Sequence, residues 1–192
     1  MMPEADKLLL VAAHDLINVL EGMGLVPTII GGVAVSLMTQ SRHTDDVDAQ
    51  ILYDAEDAPI LLDILVKNGF QPRFSGMAEL AREARMITMR HEATDTVVDI
   101  ALACMPFEIE LQNRARVQSV AGMAIRLPTP EDMVILKAIA SRPKDLEDIR
   151  NLALTYPNMD RKRIEHWVRE YGDLMETSEL WERTQALLDV SS

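Results

Sequence analysis

Apolar residues recur along this chain at two periods, and the switches between them mark its elements. From Ala5 to Gly22, Leu9, Ala12, Ala13, Leu16, Val19 and Leu20 repeat at helical spacing, and Gly22 or Gly24 ends the run. Val26 to Ile30 is a short β-branched stretch and predicts a strand. Gly31-Gly32 turns the chain, and Val33 to Met38 predicts a short helix. Val47 to Tyr53 predicts a second strand, and Ala55 to Asn68 a helix closed by Gly69. A third strand over Phe70 to Phe74 and a short helix over Met77 to Arg85 follow. Met86 to His91 and Thr96 to Ala103 predict a hairpin across Ala93-Thr94-Asp95. Phe107 to Asn113 carries no clear period. Val117 to Val120 and Met123 to Leu127 predict a last hairpin around Ala121-Gly122.

After Leu127 no strand-like run appears. Thr129-Pro130-Glu131-Asp132 is a strong helix start, with Thr as cap, Pro in the first turn and acids at the positive end. Pro143 starts another helix that runs to about Tyr156. Asp160 to Tyr171 and Ser178 to Asp189 give two more. The pattern divides the chain into an α/β part, residues 1–127, and a helical part, residues 128–192.

Several polar residues break these patterns. Asp46 and Asp48 sit two apart at the start of a strand, so their side chains share a face, about 7 Å apart along it. Two carboxylates aimed at one spot call for a cation, and oxygen ligands with substrate phosphates suit Mg²⁺. Gly31-Gly32 suits close backbone approach to a phosphate. Asp99 interrupts the run Val97 to Leu102, which predicts a strand buried on both faces around it. A buried carboxylate needs a partner, either an Arg or a metal shared with Asp46 and Asp48, and the second reading is favoured here. Lys137 shares a helix face with Met133, Val134 and Ala140; it either snorkels past the core edge or reaches a phosphate. Asp145 and Asp148 fall in the first turns of the helix after Pro143, where the helix N-terminus accounts for them. His14, His43, His91 and His166 have no metal-type spacing, and only His43 is near the Asp pair, as a loop residue first and a substrate contact second. Trp167 and Trp181 read as core anchors of the helical part.

Composition narrows the class. The 192 residues are 48% hydrophobic and 26% charged, ordinary for a globular protein. Net charge is −12, which argues against general affinity for polynucleotide backbones. Arg82, Arg85, Arg90, Arg114 and Arg116 read as solvated faces rather than a nucleic-acid track. The single Cys104 leaves no internal disulfide and no Cys-based zinc site, and reads as a packed core thiol. No apolar run is long enough for a membrane span and no signal-peptide pattern appears, so the expectation is a cytoplasmic protein with no membrane partner.

Taken together, these residues resemble the nucleotidyltransferase fold: a Gly-Gly turn (Gly31-Gly32), an Asp-x-Asp pair on the next strand (Asp46, Asp48) and a third carboxylate on a later strand (Asp99). The finer resemblance is to the AbiEii-type branch known from toxin–antitoxin systems. It rests on Arg42, Thr44, Asp46 and Asp48 in an Arg-x-Thr-x-Asp-x-Asp pattern, and on Lys137 followed by Arg142-Pro143-Lys144-Asp145-Leu146-Glu147-Asp148. The match spans roughly residues 25 to 155. The chain departs from the family in one respect: Val33-Ala34-Val35 follows the glycines, with fewer side-chain hydroxyls than usual for phosphate.

The resemblance implies an α/β (α+β) fold, a nucleotidyltransferase-like mixed β-sheet flanked by helices and followed by a C-terminal helical subdomain. It implies transfer of a nucleoside monophosphate from an NTP to an acceptor: a small molecule, a tRNA end or a protein. Mg²⁺ or Mn²⁺ would be held by Asp46, Asp48 and Asp99. Nucleotide contacts would come from Gly31, Gly32, Arg42, Thr44 and Lys137, and Asp46, Asp48, Asp99, Lys137 and Asp145 would form the catalytic set. A toxin of that branch would also have an antitoxin partner. A module of the same fold that binds a nucleotide or protein without catalysis is the competing reading.

Overall fold

Five strands form one mixed sheet in the order β1-β2-β5-β4-β3. The computed structural model describes residues 4–39 and 44–189. Strand β1 is Thr28–Ile30, β2 Asp46–Leu52, β3 Phe70–Pro72, β4 Met86–His91 and β5 Thr96–Ala103. The pair β2/β5 is parallel and the other three pairs are antiparallel. Parallel neighbours need a long crossover, and residues 53–95 supply it. It contains helix α3 (Ala58–Lys67), β3, helix α4 (Met77–Ala84) and β4.

Alternation along the strands separates two faces. Val47, Ala49 and Ile51 of β2, Val98, Ile100 and Leu102 of β5, and Ile87 and Met89 of β4 are all fully buried on one of them. Helix α1 (Glu4–Gly22) packs on β2 and β5 through a stripe that includes Ala12, Ala13, Leu16 and Leu20. It is tied to this face by Asp15, whose carboxylate lies 3.2 Å from the buried His91 Nε2. The other face carries Asp46, Asp48 and Asp99. Strand β5 therefore alternates between buried and half-buried positions. It is not buried on both faces, as the run of apolar residues around Asp99 had suggested. The small side of β5, Val97 and Ala101, reads as apolar in sequence but lies on the open face.

Three further elements surround the sheet. Helix α5 (Pro106–Arg114) packs on β2; its Glu108 accepts hydrogen bonds from Cys104 N and Met105 N at 2.8 Å each, closing the first turn. Strands β6 (Arg116–Val120) and β7 (Met123–Leu127) form the expected hairpin, and β7 lies against β1. Cys104 is exposed rather than a core thiol, because β5 ends at Ala103 and the chain then leaves the sheet.

The chain divides into two compact units: Met1–Ala34 with Arg42–Leu127, and Val35–Ser41 with Pro128–Ser192. Helix α2 (Gly31–Thr39) supplies residues to both. In the second unit Tyr156 donates its hydroxyl to Met38 O at 3.0 Å, tying this segment to the helices. Those helices are α6 (Pro130–Ala140), α7 (Pro143–Thr155), α8 (Arg161–Leu174) and α9 (Leu180–Leu188). Thr129 caps α6 by accepting from Asp132 N, and Asp160 caps α8 by accepting from Lys162 N and Arg163 N. Helix α6 packs on α7 and α8, and α9 on α7 and α8. Met133, Ile135, Ile149, Leu152, Ile164 and Val168 fill the space between, with Trp167 and Trp181 each 6% exposed as the expected anchors. Among the described residues no helix is long and apolar enough to cross a membrane.

Candidate active site

The sheet register brings the acidic residues together. Asp48 on β2 pairs with Asp99 on β5, and Asp46 lies two residues before Asp48. Neighbouring strands run about 4.8 Å apart and paired residues point to the same face. Three carboxylates therefore share one small area of the open face. Thr44 donates its hydroxyl to Asp46 Oδ1 at 2.6 Å, fixing one of them.

Gly31 borders this area from the other side. Ile30 on β1 pairs with Asp48, so the next residue begins α2 beside that carboxylate. The glycine pair thus opens the helix rather than forming a separate turn before it. Gly31 has φ +64°, and a Cβ built there would overlap the Asp48 carboxylate. Any other residue would be strained in backbone and would displace Asp48. The Asp48 carboxylate thus occupies the room that a side chain at Gly31 would take, against the start of α2.

Asp99 is the perturbed member. Burial pushes its carboxyl above the ordinary range, and the charge of Asp46 pushes it further; the Thr88 hydroxyl and the Arg73 guanidinium pull it back in part. Its Oδ1 is buried and has no hydrogen-bond partner among the described residues. An orphaned carboxylate oxygen with a second and third carboxylate on the same face suits a hard divalent cation with oxygen ligands. Among the described residues no three such side chains close into a metal cage by themselves.

Lys137 and Asp145 lie in the second unit, and there they hold each other. Lys137 is 3% exposed, and its Nζ is 2.8 Å from Asp148 Oδ2 and 3.1 Å from Asp145 Oδ1. Both carboxylates are fully buried. Arg142 donates to Asp145 Oδ2 through Nε at 2.6 Å and through its backbone N at 3.1 Å, closing a capping box at the start of α7. Burial alone would raise the Asp145 carboxyl; Arg142 and Lys137 outweigh it and hold it below the ordinary range. Asp145 and Asp148 therefore lie in the first turns of α7, with Lys137 as their counter-ion. Arg42, expected at the phosphates, lies outside the described residues, as does His43.

Sequence reasoning passed over Thr88 and Arg73. The signal was present in the hairpin: counting back from the end pair His91–Thr96 places Thr88 opposite Asp99. Arg73 continues β3 by one residue and donates its backbone N to Thr88 O at 3.2 Å, so it extends the same row.

These observations agree with what the chain is similar to. The family described as "Nucleotidyltransferase of unknown function (DUF6036)" matches residues 10–188. Among solved structures, an antigenic nucleotidyltransferase-like protein from Paracoccidioides brasiliensis matches at TM-score 0.59 and 16% identity, over 95% of each chain. The antibiotic-resistance factor ANT(2'')-Ia matches at TM-score 0.52 and 15% identity, over 98% of this chain and 92% of its own. The lincosamide antibiotic adenylyltransferase LnuA, in its lincomycin-bound form, matches at TM-score 0.51 and 16% identity, over 74% of this chain and 93% of its own. At such identities the likeness is one of fold. No curated protein matches the sequence.

Proposed function

Because the chain belongs to this nucleotidyltransferase family, we propose that it transfers a nucleoside monophosphate from an NTP to a hydroxyl acceptor. The observation that carries the reading is the register of Asp48 with Asp99, with Gly31 kept bare beside them. In the reaction the acceptor oxygen bonds to the α-phosphorus, the bond from that phosphorus to the β-bridging oxygen breaks, and pyrophosphate leaves. Mg²⁺ or Mn²⁺, held by Asp46, Asp48 and Asp99 with the triphosphate, would neutralise phosphate charge and lower the pKa of the acceptor hydroxyl.

The residues divide the remaining work. Thr44 keeps Asp46 in one orientation. Gly31 and Gly32 admit the phosphates to the backbone at the start of α2. As the alternative to sharing the metal, Asp99 takes the acceptor proton directly as general base. Lys137 and Asp145 lie in the second unit, where Lys137 neutralises two buried carboxylates.

A small-molecule acceptor is favoured over a long RNA by the net charge of −12. It is also supported by fold neighbours whose names identify an antibiotic-resistance factor and a lincosamide adenylyltransferase. The AbiEii-type likeness, and with it a toxin role and an antitoxin partner, rests on the spacing from Arg42 to Asp48 and from Lys137 to Asp148.

The test is pyrophosphate release. The protein is incubated with each NTP, Mg²⁺ or Mn²⁺, and a panel of aminoglycoside, lincosamide, tRNA and protein acceptors. Acceptor-dependent release lost in Asp99→Asn supports the assignment. Release at the wild-type rate in Asp99→Asn removes Asp99 from the chemistry.

A further inference from the structure

The acidic row does not end at Asp99. Across the sheet it runs Asp48, Asp99, Thr88 and then Arg73 at the far edge, two strand spacings or about 10 Å from Asp99. Residues in one such row present their side chains to the same face. Arg73 is exposed and, among the described residues, forms no salt bridge. The other arginines near this part of the first unit are taken: Arg82 by Glu56 at 3.3 Å, Arg85 by Glu108 at 2.8 Å and Arg90 by Asp95 at 2.7 Å. The guanidinium of Arg73 lies 5.5 Å from the centre of the Phe74 ring, itself half exposed. An aromatic ring against one face of the guanidinium holds its plane and leaves the N–H edge for another partner.

We propose that Arg73 is a substrate-contacting residue of this site, and that it takes an anionic oxygen group, phosphate or carboxylate, through the guanidinium edge. The inference rests on the nucleotidyl-transfer reading above. Its chemistry follows from the charges that the described residues bring to the site. Three carboxylates share that face, and Lys137, which with Arg42 was expected at the nucleotide, is buried against two more carboxylates in the second unit. Arg73 is a cation of the first unit whose charge is felt at Asp99 and whose donors are not committed to a carboxylate among the described residues. A planar fork of donors matches the paired oxygens of phosphate or carboxylate. Two sources could supply that group. It is either the triphosphate, or an anionic group on the acceptor, since Gly31 and Arg73 flank Asp99 from opposite edges of the sheet.

Calorimetry on the full chain separates these sources without needing the true nucleotide or acceptor. One arm titrates inorganic tripolyphosphate with Mg²⁺. The other titrates glycerol 3-phosphate into protein saturated with tripolyphosphate and Mg²⁺. Wild type, Arg73→Met, Arg73→Lys and Asp46→Ala are compared. Because Arg73 is exposed, Arg73→Met is expected to fold as the wild type does, which a thermal melt verifies. The expected result is about tenfold or greater weakening of one arm in Arg73→Met, with partial recovery in Arg73→Lys, as for loss of a charge-assisted hydrogen bond. Weakening of the first arm assigns Arg73 to the triphosphate, and weakening of the second assigns it to the acceptor. Wild-type binding that is lost in Asp46→Ala but unchanged in Arg73→Met overturns the role of Arg73 alone. Failure of the wild type to bind tripolyphosphate with Mg²⁺ overturns the site reading and this inference with it.

Discussion

At Gly31 a missing side chain decides the geometry. With φ +64° and its Cβ position already filled by the Asp48 carboxylate, Gly31→Ala combines left-handed strain with displacement of a site residue. The strain alone is about 1–2 kcal/mol. We expect Gly31→Ala to lose at least that much stability in urea denaturation and to lose Mg²⁺-dependent nucleotide binding. Gly22→Ala is the control, since a Cβ there meets nothing within 4 Å. Equal behaviour of the two variants would refute the close-approach account. Asp99 illustrates the opposite trade. Burial and Asp46 raise its carboxyl in the fold, so the protonated form is favoured there. That contribution is complete below the ordinary carboxylate range, about pH 4. It is lost as pH rises through the raised value. Asp99→Asn, which never ionises, should therefore melt higher than the metal-free wild type at neutral pH while losing transfer. The gap should narrow on acidification toward pH 4. A lower melting temperature for Asp99→Asn at neutral pH would contradict this.

Among the elements, the joint between α6 and α7 is the most consequential. Lys137 on α6 holds two fully buried carboxylates of α7. Lys137→Met strands both, a loss of about 3–5 kcal/mol for a broken buried pair. Chemical denaturation should show a loss of this size, and a change under about 1 kcal/mol would mean the network contributes little. The sign with pH runs opposite to that of Asp99. Asp145 is held below the ordinary range, so its contribution is present above about pH 4 and fades as pH falls through the lowered value. These helices were legible in sequence because their signals are local. Thr129 with Pro130, and Pro143 after Arg142, mark starts that the chain does use. The hairpin of β4 and β5 was equally legible from its alternation and turn. What the sequence withheld depends on long-range pairing. The parallel register that sets Asp48 against Asp99 is closed by a crossover of over forty residues, and no local pattern encodes it. The same holds for Lys137, since spacing shows an apolar helix face but not which residues of the next helix meet it. Cys104 was misjudged by a margin of one residue, the point where β5 ends.

Over the whole molecule, the family match at residues 10–188 takes in both compact units. The candidate site nonetheless lies in the first, with Asp46, Asp48 and Asp99 on one sheet face beside Gly31, and Thr88 and Arg73 extending the row. The second unit buries two charged groupings, Lys137 with Asp145 and Asp148, and Arg163 with Asp132 at 2.7 Å. With a net charge of −12, the proposed triphosphate binding would depend on local compensation by a divalent cation. The central claim is therefore a metal-dependent triphosphate site at Asp46 and Asp48. The most direct measurement is a thermal-shift and calorimetric titration of wild type and Asp46→Ala with each of the four nucleoside triphosphates, with and without Mg²⁺. The account predicts that at least one triphosphate stabilises the wild type only with Mg²⁺, by about 2.7 kcal/mol at a hundredfold excess over Kd. It also predicts that Asp46→Ala abolishes this. Stabilisation by none of the four, or equal stabilisation of Asp46→Ala, would contradict it.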